Sequence, residues 1–186
     1  NKLKLTNEKK INTIDAQDIC CNNKHLFIAN TLGRSIDKYD LNLNFIKKCQ
    51  IDILSNNSKV LIKTIYIDQN DNIFIGTFDD FKIFKFDVNL KFLKSFNLKR
   101  YANELKVLRS IFIDREDNNK IYLLNRGKYP IWLYCINKNK VLKKINIIKN
   151  SLFLRNPTSI NMFDKNLFIC DKENDRIIKT KLTFFK

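Results

Sequence analysis

The segments Thr64-Ile65-Tyr66-Ile67-Asp68 and Ser110-Ile111-Phe112-Ile113-Asp114 match almost residue for residue and lie 46 positions apart. Asp18-Ile19-Cys20-Cys21 lies 46 positions before the first of them, and Ser159-Ile160-Asn161-Met162 lies 49 positions after the second. Each segment is short, apolar and rich in β-branched or aromatic residues, as buried β-strands are. This self-similarity at a nearly fixed period indicates a repeat protein built from small β-sheets.

Three further series of apolar segments follow in the same register. The second series comprises Leu26–Asn30, Ile73–Thr77, Ile121–Asn125 and Leu167–Asp171, the third comprises Ser35–Asp40, Lys82–Asp87, Ile131–Asn137 and Arg176–Leu182, and the fourth comprises Phe45–Ile51, Phe92–Leu98 and Val141–Ile147. The first two series are nearly continuous apolar runs, whereas the outer two alternate. We therefore expect two inner strands buried on both faces and two half-buried outer strands. An all-β fold follows, a β-propeller with about four blades of four antiparallel strands.

The repeat gives the domain organisation. One propeller domain, or part of one, is expected over residues 1–186, with a partial blade at 1–14, blades at 15–52, 64–98 and 109–147, and an incomplete blade at 157–186. Lys9–Ile14 resembles the fourth-strand segment Lys143–Ile148. Residues 9–14 therefore either close the last blade of a four-bladed ring, or belong to an excerpt of a larger propeller. The excerpt is favoured because four blades is the low end of the usual range.

The charge and the composition point in different directions. The 186 residues carry 35 Lys and Arg against 19 Asp and Glu, a net charge of +16 that is common in proteins that bind nucleic acids or other polyanions. However, the chain holds 28 Lys but only 7 Arg, together with 26 Asn and 26 Ile, and only 3 Gly and 2 Pro. That skew follows A/T-rich codons and indicates an AT-rich genome. Part of the lysine excess is therefore explained without a partner.

Cysteine and histidine usage excludes several kinds of site. The cysteines are odd in number, five, and form no Cys-x-x-Cys pair, so we expect free thiols packed as small hydrophobic side chains. This mildly favours a reducing compartment, and a cytoplasmic location is predicted. The single histidine, His25, excludes sites made of several histidines. No motif for a cofactor or for catalysis occurs, so we predict a protein that is not an enzyme and takes no cofactor and no metal.

The first residues of the sequence form no signal-type apolar stretch. The chain begins Asn1-Lys2-Leu3-Lys4 without an initiator methionine, so we expect the native N-terminus, with any targeting segment, to be absent. Charged residues or Asn interrupt every apolar run, so no membrane-spanning helix is expected.

The fourth repeat carries a family resemblance. Pro157-Thr158-Ser159-Ile160, then Asn166–Asp171, then Asn174-Asp175-Arg176-Ile177 resembles the NHL repeat, whose consensus runs Pro-x-x-Ile, an apolar strand ending in Asp, and Asn-x-Arg-Ile. The first repeat echoes it with Arg34-Ser35-Ile36, whereas the second has Lys82 at the place of the arginine. The resemblance implies a six-bladed type of propeller that binds proteins or single-stranded RNA through one face. Related propellers include metal-dependent hydrolases and lyases.

One end of the predicted propeller collects arginines and aromatic residues. Loops between second and third strands share that end with the connections between blades, and six of the seven arginines fall in them, all but Arg115. The candidate partner-binding residues are Arg34, Phe78, Phe81, Arg100, Tyr101, Arg109, Arg126, Tyr129, Arg155 and Arg176. Arginine beside an exposed aromatic ring suits an acidic peptide, or phosphates and stacked bases. The plainer interpretation is that loops collect polar residues, and that Arg176 forms a structural ion pair with Asp171.

We therefore predict a non-catalytic interaction platform that binds an acidic protein partner. Single-stranded RNA binding by the same residues is the alternative. A metal-dependent hydrolase or lyase of the six-bladed propeller type is the second alternative.

Overall fold

Four antiparallel sheets form consecutive blades. The computed structural model describes residues 9–51, 60–78, 80–126, 129–145 and 154–181. Blade 1 contains β1 (Ala16–Cys21), β2 (His25–Asn30), β3 (Ser35–Asp40) and β4 (Phe45–Gln50), and blade 2 contains β5 (Ile62–Ile67), β6 (Ile73–Thr77), β7 (Lys82–Phe86) and β8 (Phe92–Asn97). Blade 3 contains β9 (Leu108–Ile113), β10 (Lys120–Asn125), β11 (Ile131–Cys135) and β12 (Lys140–Ile145), and blade 4 contains β13 (Pro157–Phe163), β14 (Asn166–Asp171) and β15 (Arg176–Lys181).

The blades are arranged as a β-propeller, as the repeat predicts. Each sheet is a meander in which every strand pairs with the next one along the chain. The innermost strands β1, β5, β9 and β13 contact one another in that series, and all four line a narrow central channel of about 290 Å³. Single 3-10 turns occur at Lys99–Tyr101 and Lys172–Asn174. In the described part of the chain, no helix has the length and apolar character needed to cross a membrane.

The cores lie between blades. One cluster joins blades 1 and 2 through Phe27, Ile36, Ile65 and Phe84 among others, and two further clusters join blade 2 to 3 and blade 3 to 4. Each blade therefore has a front face toward the preceding blade and a back face toward the following one. Because side chains alternate along a strand, the same strand contributes to both interfaces.

The turns that join first to second strands use Asx chemistry, as their Asn and Asp content predicts. Asp68 Oδ1 accepts hydrogen bonds from the N–H groups of Asn70 at 2.9 Å and Asn72 at 2.8 Å, and Asp71 has a positive φ of 59°. Asp114 Oδ1 accepts one from the Glu116 N–H at 2.9 Å. The acidic turns therefore act as hairpin turns that hold their own backbone.

Two expectations about burial are wrong. The third strands β3 and β11 are buried along almost their whole length instead of half-buried. In β3 the polar side chains are buried because they bond to one another, with Ser35 Oγ donating to Asp37 Oδ1 at 2.6 Å and Asn30 Nδ2 donating to Asp37 Oδ2 at 3.2 Å. In β11 both faces pack on neighbouring blades. Conversely, the innermost strand β1 is exposed at alternate positions.

Residues 9–14 lie against blade 1 and are not part of a strand. Lys9 Nζ donates to Asn44 Oδ1 at 2.9 Å, and the Ile14 N–H donates to Asn30 Oδ1 at 3.2 Å. Blade 4 has three strands within the described residues, and β15 is its outermost strand there. Residues 1–8 lie outside the described ranges, so the partial blade at 1–14 stays a prediction.

All five cysteines are free thiols. Cys135 is buried, and Cys20 and Cys49 are partly buried against the core between blades 1 and 2, as predicted. Cys21 and Cys170 are exposed, contrary to that prediction, because each lies on a blade face that no neighbouring blade covers in the described structure.

The absence of a side chain at Gly76 lets β6 approach blade 3 closely. A Cβ atom at this position would lie 2.6 Å from Leu108 Cδ2 and 2.8 Å from Thr64 Cγ2. Gly76→Ala is therefore expected to lower the free energy of unfolding by about 1–3 kcal/mol, measured by urea denaturation. Combined with Leu108→Val, which removes the clashing methyl group, the loss is expected to be smaller than the sum of the two single losses. A neutral Gly76→Ala variant would contradict this packing.

Candidate functional site

The two ends of the strands differ in charge. We call the arginine end the one formed by the loops between second and third strands and by the connections between blades. Six arginines lie in the chain at or next to those loops and connections, namely Arg34, Arg100, Arg109, Arg126, Arg155 and Arg176. The guanidinium of Arg100 reaches along blade 3 and donates to the Asn139 carbonyl in the turn between β11 and β12. At the opposite end the turns between first and second strands carry Asp68, Asp71 and Asp114, with Arg115 beside them. Arginines therefore collect at one end and acidic turns at the other, although Glu104 and Glu173 also lie at the arginine end and Lys24 at the opposite one.

A cleft on blade 3 is lined by two of the predicted residues, Tyr101 and Tyr129, and a third, Arg100, lies beside Tyr101. This blade 3 cleft has a volume of about 480 Å³ and is lined by Tyr101, Glu104, Tyr129 and residues 141–144. The Arg100 guanidinium carbon lies 4.9 Å from the centre of the Tyr101 ring. Lys144 Nζ lies 5.6 Å from the centre of the same ring, so two cations lie close to one aromatic ring.

Tyr101 is held firmly in this position. Its ring meets Trp132 edge-on at 5.6 Å between centroids, and its hydroxyl oxygen accepts a hydrogen bond from the Val141 N–H at 3.1 Å. Burial alone would raise the pKa of Tyr101. The Val141 hydrogen bond and the positive charges of Arg100 and Lys144 outweigh burial and lower that pKa below its ordinary value. The surroundings of the Tyr101 hydroxyl therefore favour its ionised form more than water does.

Tyr129 is fixed through its backbone. Trp132 Nε1–H donates a hydrogen bond to the Tyr129 carbonyl at 2.7 Å, and Asn125 Nδ2 donates to the same oxygen at 3.4 Å. The Tyr129 side chain is half-buried against the core between blades 2 and 3. The two tyrosines are thus presented by a packed scaffold, which reduces the conformational entropy lost on binding.

A second group of predicted residues surrounds the buried Asp171. Arg176 Nε and Nη2 each lie 3.0 Å from Asp171 Oδ2, which confirms the ion pair expected from the repeat. The Arg155 N–H donates to Asp171 Oδ1 at 3.0 Å, while its side chain is exposed. Arg126 Nη2 lies 3.9 Å from Glu173 Oε1. Arg176 therefore holds the fold, whereas Arg126 and Arg155 present side chains to solvent.

The other four predicted residues lie on blades 1 to 3. Arg34 occupies the turn after β2 with a positive φ of 51°, and its backbone ties that turn to Ile51. Phe78 is half-buried with Lys63 Nζ 5.9 Å from its ring centre, and Phe81 packs on the core between blades 2 and 3. Arg109 lies in β9 and not in the preceding loop, because β9 begins at Leu108, before the expected strand segment that starts at Ser110.

Sequence reasoning missed the basic contribution of β12. Lys143 and Lys144 line the blade 3 cleft, and Lys144 Nζ also lies 5.0 Å from the Trp132 ring centre. Lys144 forms an ion pair with Glu104. The signal was present in the sequence, since a Lys pair interrupts the apolar fourth strand of blade 3, but a lysine-rich composition conceals such pairs.

The opposite end holds a larger, more polar cavity. It has a volume of about 510 Å³ at the mouth of the channel and is formed by turns of blades 1 to 3. Its polar groups largely bond to one another: Asn22 Nδ2 donates to Asp71 Oδ1 at 2.9 Å, and Gln69 Nε2 donates to the Arg115 carbonyl at 2.6 Å. Within the described ranges, no three His, Cys, Asp or Glu side chains are grouped so that they could hold a metal ion.

Comparison with known proteins identifies the fold. No family model matches the sequence, and no curated protein matches it. Several solved structures are similar to this chain. The WD40 repeats of RRP9 superpose with a TM-score of 0.64 at 8% identity, over 92% of this chain and 52% of that one. The computationally designed Ika4 protein superposes with a TM-score of 0.60 at 8% identity, over 94% and 95% of the two chains.

A protein of unknown function from Bacteroides caccae is also similar, with a TM-score of 0.58 and 9% identity over 89% of this chain and 60% of that one. The chain thus spans only about half to three fifths of the two natural proteins. At these identities the likeness shows the fold alone. The protein is a β-propeller with WD40-like structural neighbours, and NHL-repeat membership stays a prediction.

Proposed function

We propose that this protein is a non-catalytic interaction platform whose arginine end binds an acidic protein partner. Propellers present loops from several blades on one rigid face, which suits them to this role. One observation carries the proposal: the guanidinium carbon of Arg100 and Lys144 Nζ lie 4.9 and 5.6 Å from the centre of the Tyr101 ring, and that ring lines a cleft together with Lys144 and Tyr129.

The chemistry of the blade 3 cleft suits carboxylate side chains. Its described lining holds two lysines, Lys143 and Lys144, and one carboxylate, that of Glu104, so it keeps an excess of positive charge. Arg100 adds a cation beside the Tyr101 ring. The two tyrosines offer apolar surface together with polar hydroxyl groups, as anchoring residues at protein interfaces do. A bound acidic segment would replace Glu104 as the ion-pair partner of Lys144 and would cover the rings of Tyr101 and Tyr129.

The test uses opposite changes of charge in the same cleft. A fluorescein-labelled oligo-glutamate peptide is titrated with the protein, and binding is followed by fluorescence anisotropy. The Arg100→Ser, Lys144→Ser double variant is expected to bind about tenfold more weakly. Glu104→Gln, which removes the competing carboxylate, is expected to bind a few-fold more tightly. Both effects should shrink as salt rises, because the charges are near the surface.

The control removes the same charge elsewhere. Lys91→Ser with Lys94→Ser changes two exposed lysines of blade 2, and binding is expected to change by less than about twofold. Equal losses in the two double variants would mean that the net charge acts diffusely, which would contradict the proposal. So would tighter binding of a labelled single-stranded oligouridine whose affinity falls steeply between about 50 and 200 mM salt, the result that RNA binding requires.

A further inference from the structure

An exposed leucine lies in the wall of the blade 3 cleft. The ladder between β12 and β11 pairs Val141 and Lys143 with consecutive residues of β11, so Leu142 between them is the extra residue of a β-bulge. Leu142 is 41% exposed and lines the cleft. A large aliphatic side chain therefore stands beside the basic groups already described there.

The fourth strands of blades 1 and 2 have the same bulge at the same place. Ile46 is the extra residue of β4 and Leu93 is the extra residue of β8, and each is 47% exposed. A lysine follows the bulged residue in all three blades, at Lys47, Lys94 and Lys143. The exposed aliphatic residue is thus common to the repeat, and Leu93 offers a matched comparison for Leu142.

The surroundings of Leu142 combine apolar surface with positive charge. Tyr101 and Tyr129 line the same cleft, and the Tyr101 hydroxyl oxygen accepts a hydrogen bond at 3.1 Å from the N–H of Val141, the residue next to Leu142. Lys144 follows Leu142 by two residues, a separation of about 7 Å along a strand. The cleft therefore has an apolar part and a cationic part at a defined spacing.

We propose that the acidic partner of the blade 3 cleft is an extended segment in which a carboxylate lies two positions from a large apolar side chain. The carboxylate pairs with Lys144, and the apolar side chain packs on Leu142 beside the tyrosine rings. Side chains two positions apart in an extended segment point to the same side about 7 Å apart, which matches the spacing of these two residues. This proposal rests on the proposed function and names the kind of acidic segment that the cleft accepts.

The two parts of the cleft contribute differently to binding. Exposed ion pairs are weak and are screened by salt, so the lysines attract acidic segments of many sequences. Covering Leu142 removes apolar surface from water, and this happens only when the segment has an apolar side chain at the matching position. The lysines therefore provide attraction, and Leu142 provides selectivity among acidic segments.

The test compares three fluorescein-labelled peptides of equal length by fluorescence anisotropy: oligo-glutamate, the same peptide with one interior glutamate replaced by leucine, and the same peptide with that glutamate replaced by serine. The unaltered protein is expected to bind the leucine peptide about fivefold more tightly than the serine peptide. These two peptides carry the same charge, so the ratio of their affinities reports the apolar contact. The ratio should persist as salt rises, because an apolar contact is not screened.

Two matched variants locate the apolar contact. Leu142→Ser is expected to bring the ratio of affinities to about one, whereas Leu93→Ser, the same change at the same bulge of blade 2, should leave the ratio unchanged. Both side chains are partly exposed, so both variants should melt like the unaltered protein. A ratio near one in the unaltered protein, a ratio retained in Leu142→Ser, or an equal loss in Leu93→Ser would overturn the proposal.

The Arg100→Ser, Lys144→Ser double variant separates this proposal from the proposed function. If it binds oligo-glutamate as tightly as the unaltered protein does, the proposed function is overturned and this proposal falls with it. If it binds oligo-glutamate more weakly while the unaltered protein binds the leucine and serine peptides alike, only the apolar contact is overturned.

Discussion

Trp132→Ala is expected to lower the free energy of unfolding by about 3–5 kcal/mol. Trp132 is completely buried in the core between blades 2 and 3, and its Nε1–H donates to the Tyr129 carbonyl at 2.7 Å. The substitution leaves a large cavity, removes that donor and takes away the ring that Tyr101 contacts. The loss is measured by urea denaturation followed by far-ultraviolet circular dichroism.

A matched variant separates packing from hydrogen bonding. Trp132→Phe keeps most of the buried ring and loses the N–H donor, so a loss of about 1–2 kcal/mol is expected. Both variants should also weaken oligo-glutamate binding under conditions where they remain folded, because Tyr101 and Tyr129 lose their common support. If the free energy of unfolding of Trp132→Ala lies less than about 1 kcal/mol below that of the unaltered protein, the packing described for this blade is contradicted.

Asp171→Ala is expected to lower the free energy of unfolding by about 3 kcal/mol, because it removes the acceptor from a buried ion pair. The Asp171 side chain is completely buried, whereas the Arg176 side chain keeps 28% of its exposure and can reach water in the variant. The carboxylate also accepts hydrogen bonds from Asn174 Nδ2 at 2.6 Å and from the Asn156 N–H at 3.2 Å. Glu173→Ala, which removes an exposed carboxylate two residues away, should cost less than about 1 kcal/mol.

The same site makes the stability of the fold depend on pH in the acid range. Burial would raise the pKa of Asp171, but the hydrogen bonds from Asn174, Asn156, Arg155 and Arg176 outweigh burial and lower it. A carboxyl group whose folded pKa is lowered stabilises the fold above its unfolded pKa of about 3.9 and loses that contribution as the pH falls through the folded value. Asp171→Asn should therefore flatten the stability profile below about pH 4. An unchanged profile would contradict the ionised state of Asp171.

The sequence repeat predicts the strands well because each blade is specified locally. β3 and β6 have the predicted bounds, and the other strands differ by three residues or fewer at either end. Apolar runs and Asx turns are set by neighbouring residues, so one sequence suffices to find them. The exposure of Ile19 could not be predicted in this way, because it depends on whether another blade lies beside blade 1.

The candidate site could be predicted only in part. The position of Arg100 and Tyr101 after a fourth strand indicates the arginine end, and the Asp171–Arg176 pair follows from the repeat. Lys144 joins Tyr101 only through the pairing of β12 with β11, a contact between residues far apart in sequence. In the sequence, Lys144 also looks like the many solvent-exposed lysines of this lysine-rich chain. The cleft therefore required the three-dimensional structure.

The central claim is that the arginine end, and not the acidic end, receives an acidic partner. Hydrogen–deuterium exchange with and without the oligo-glutamate peptide tests it most directly. We predict slower exchange in residues 99–107 and 140–144, with no change in the turns at Asp68–Asn72 and Asp114–Asn119. Protection confined to those acidic turns, or spread evenly over the lysines of all blades, would contradict the account.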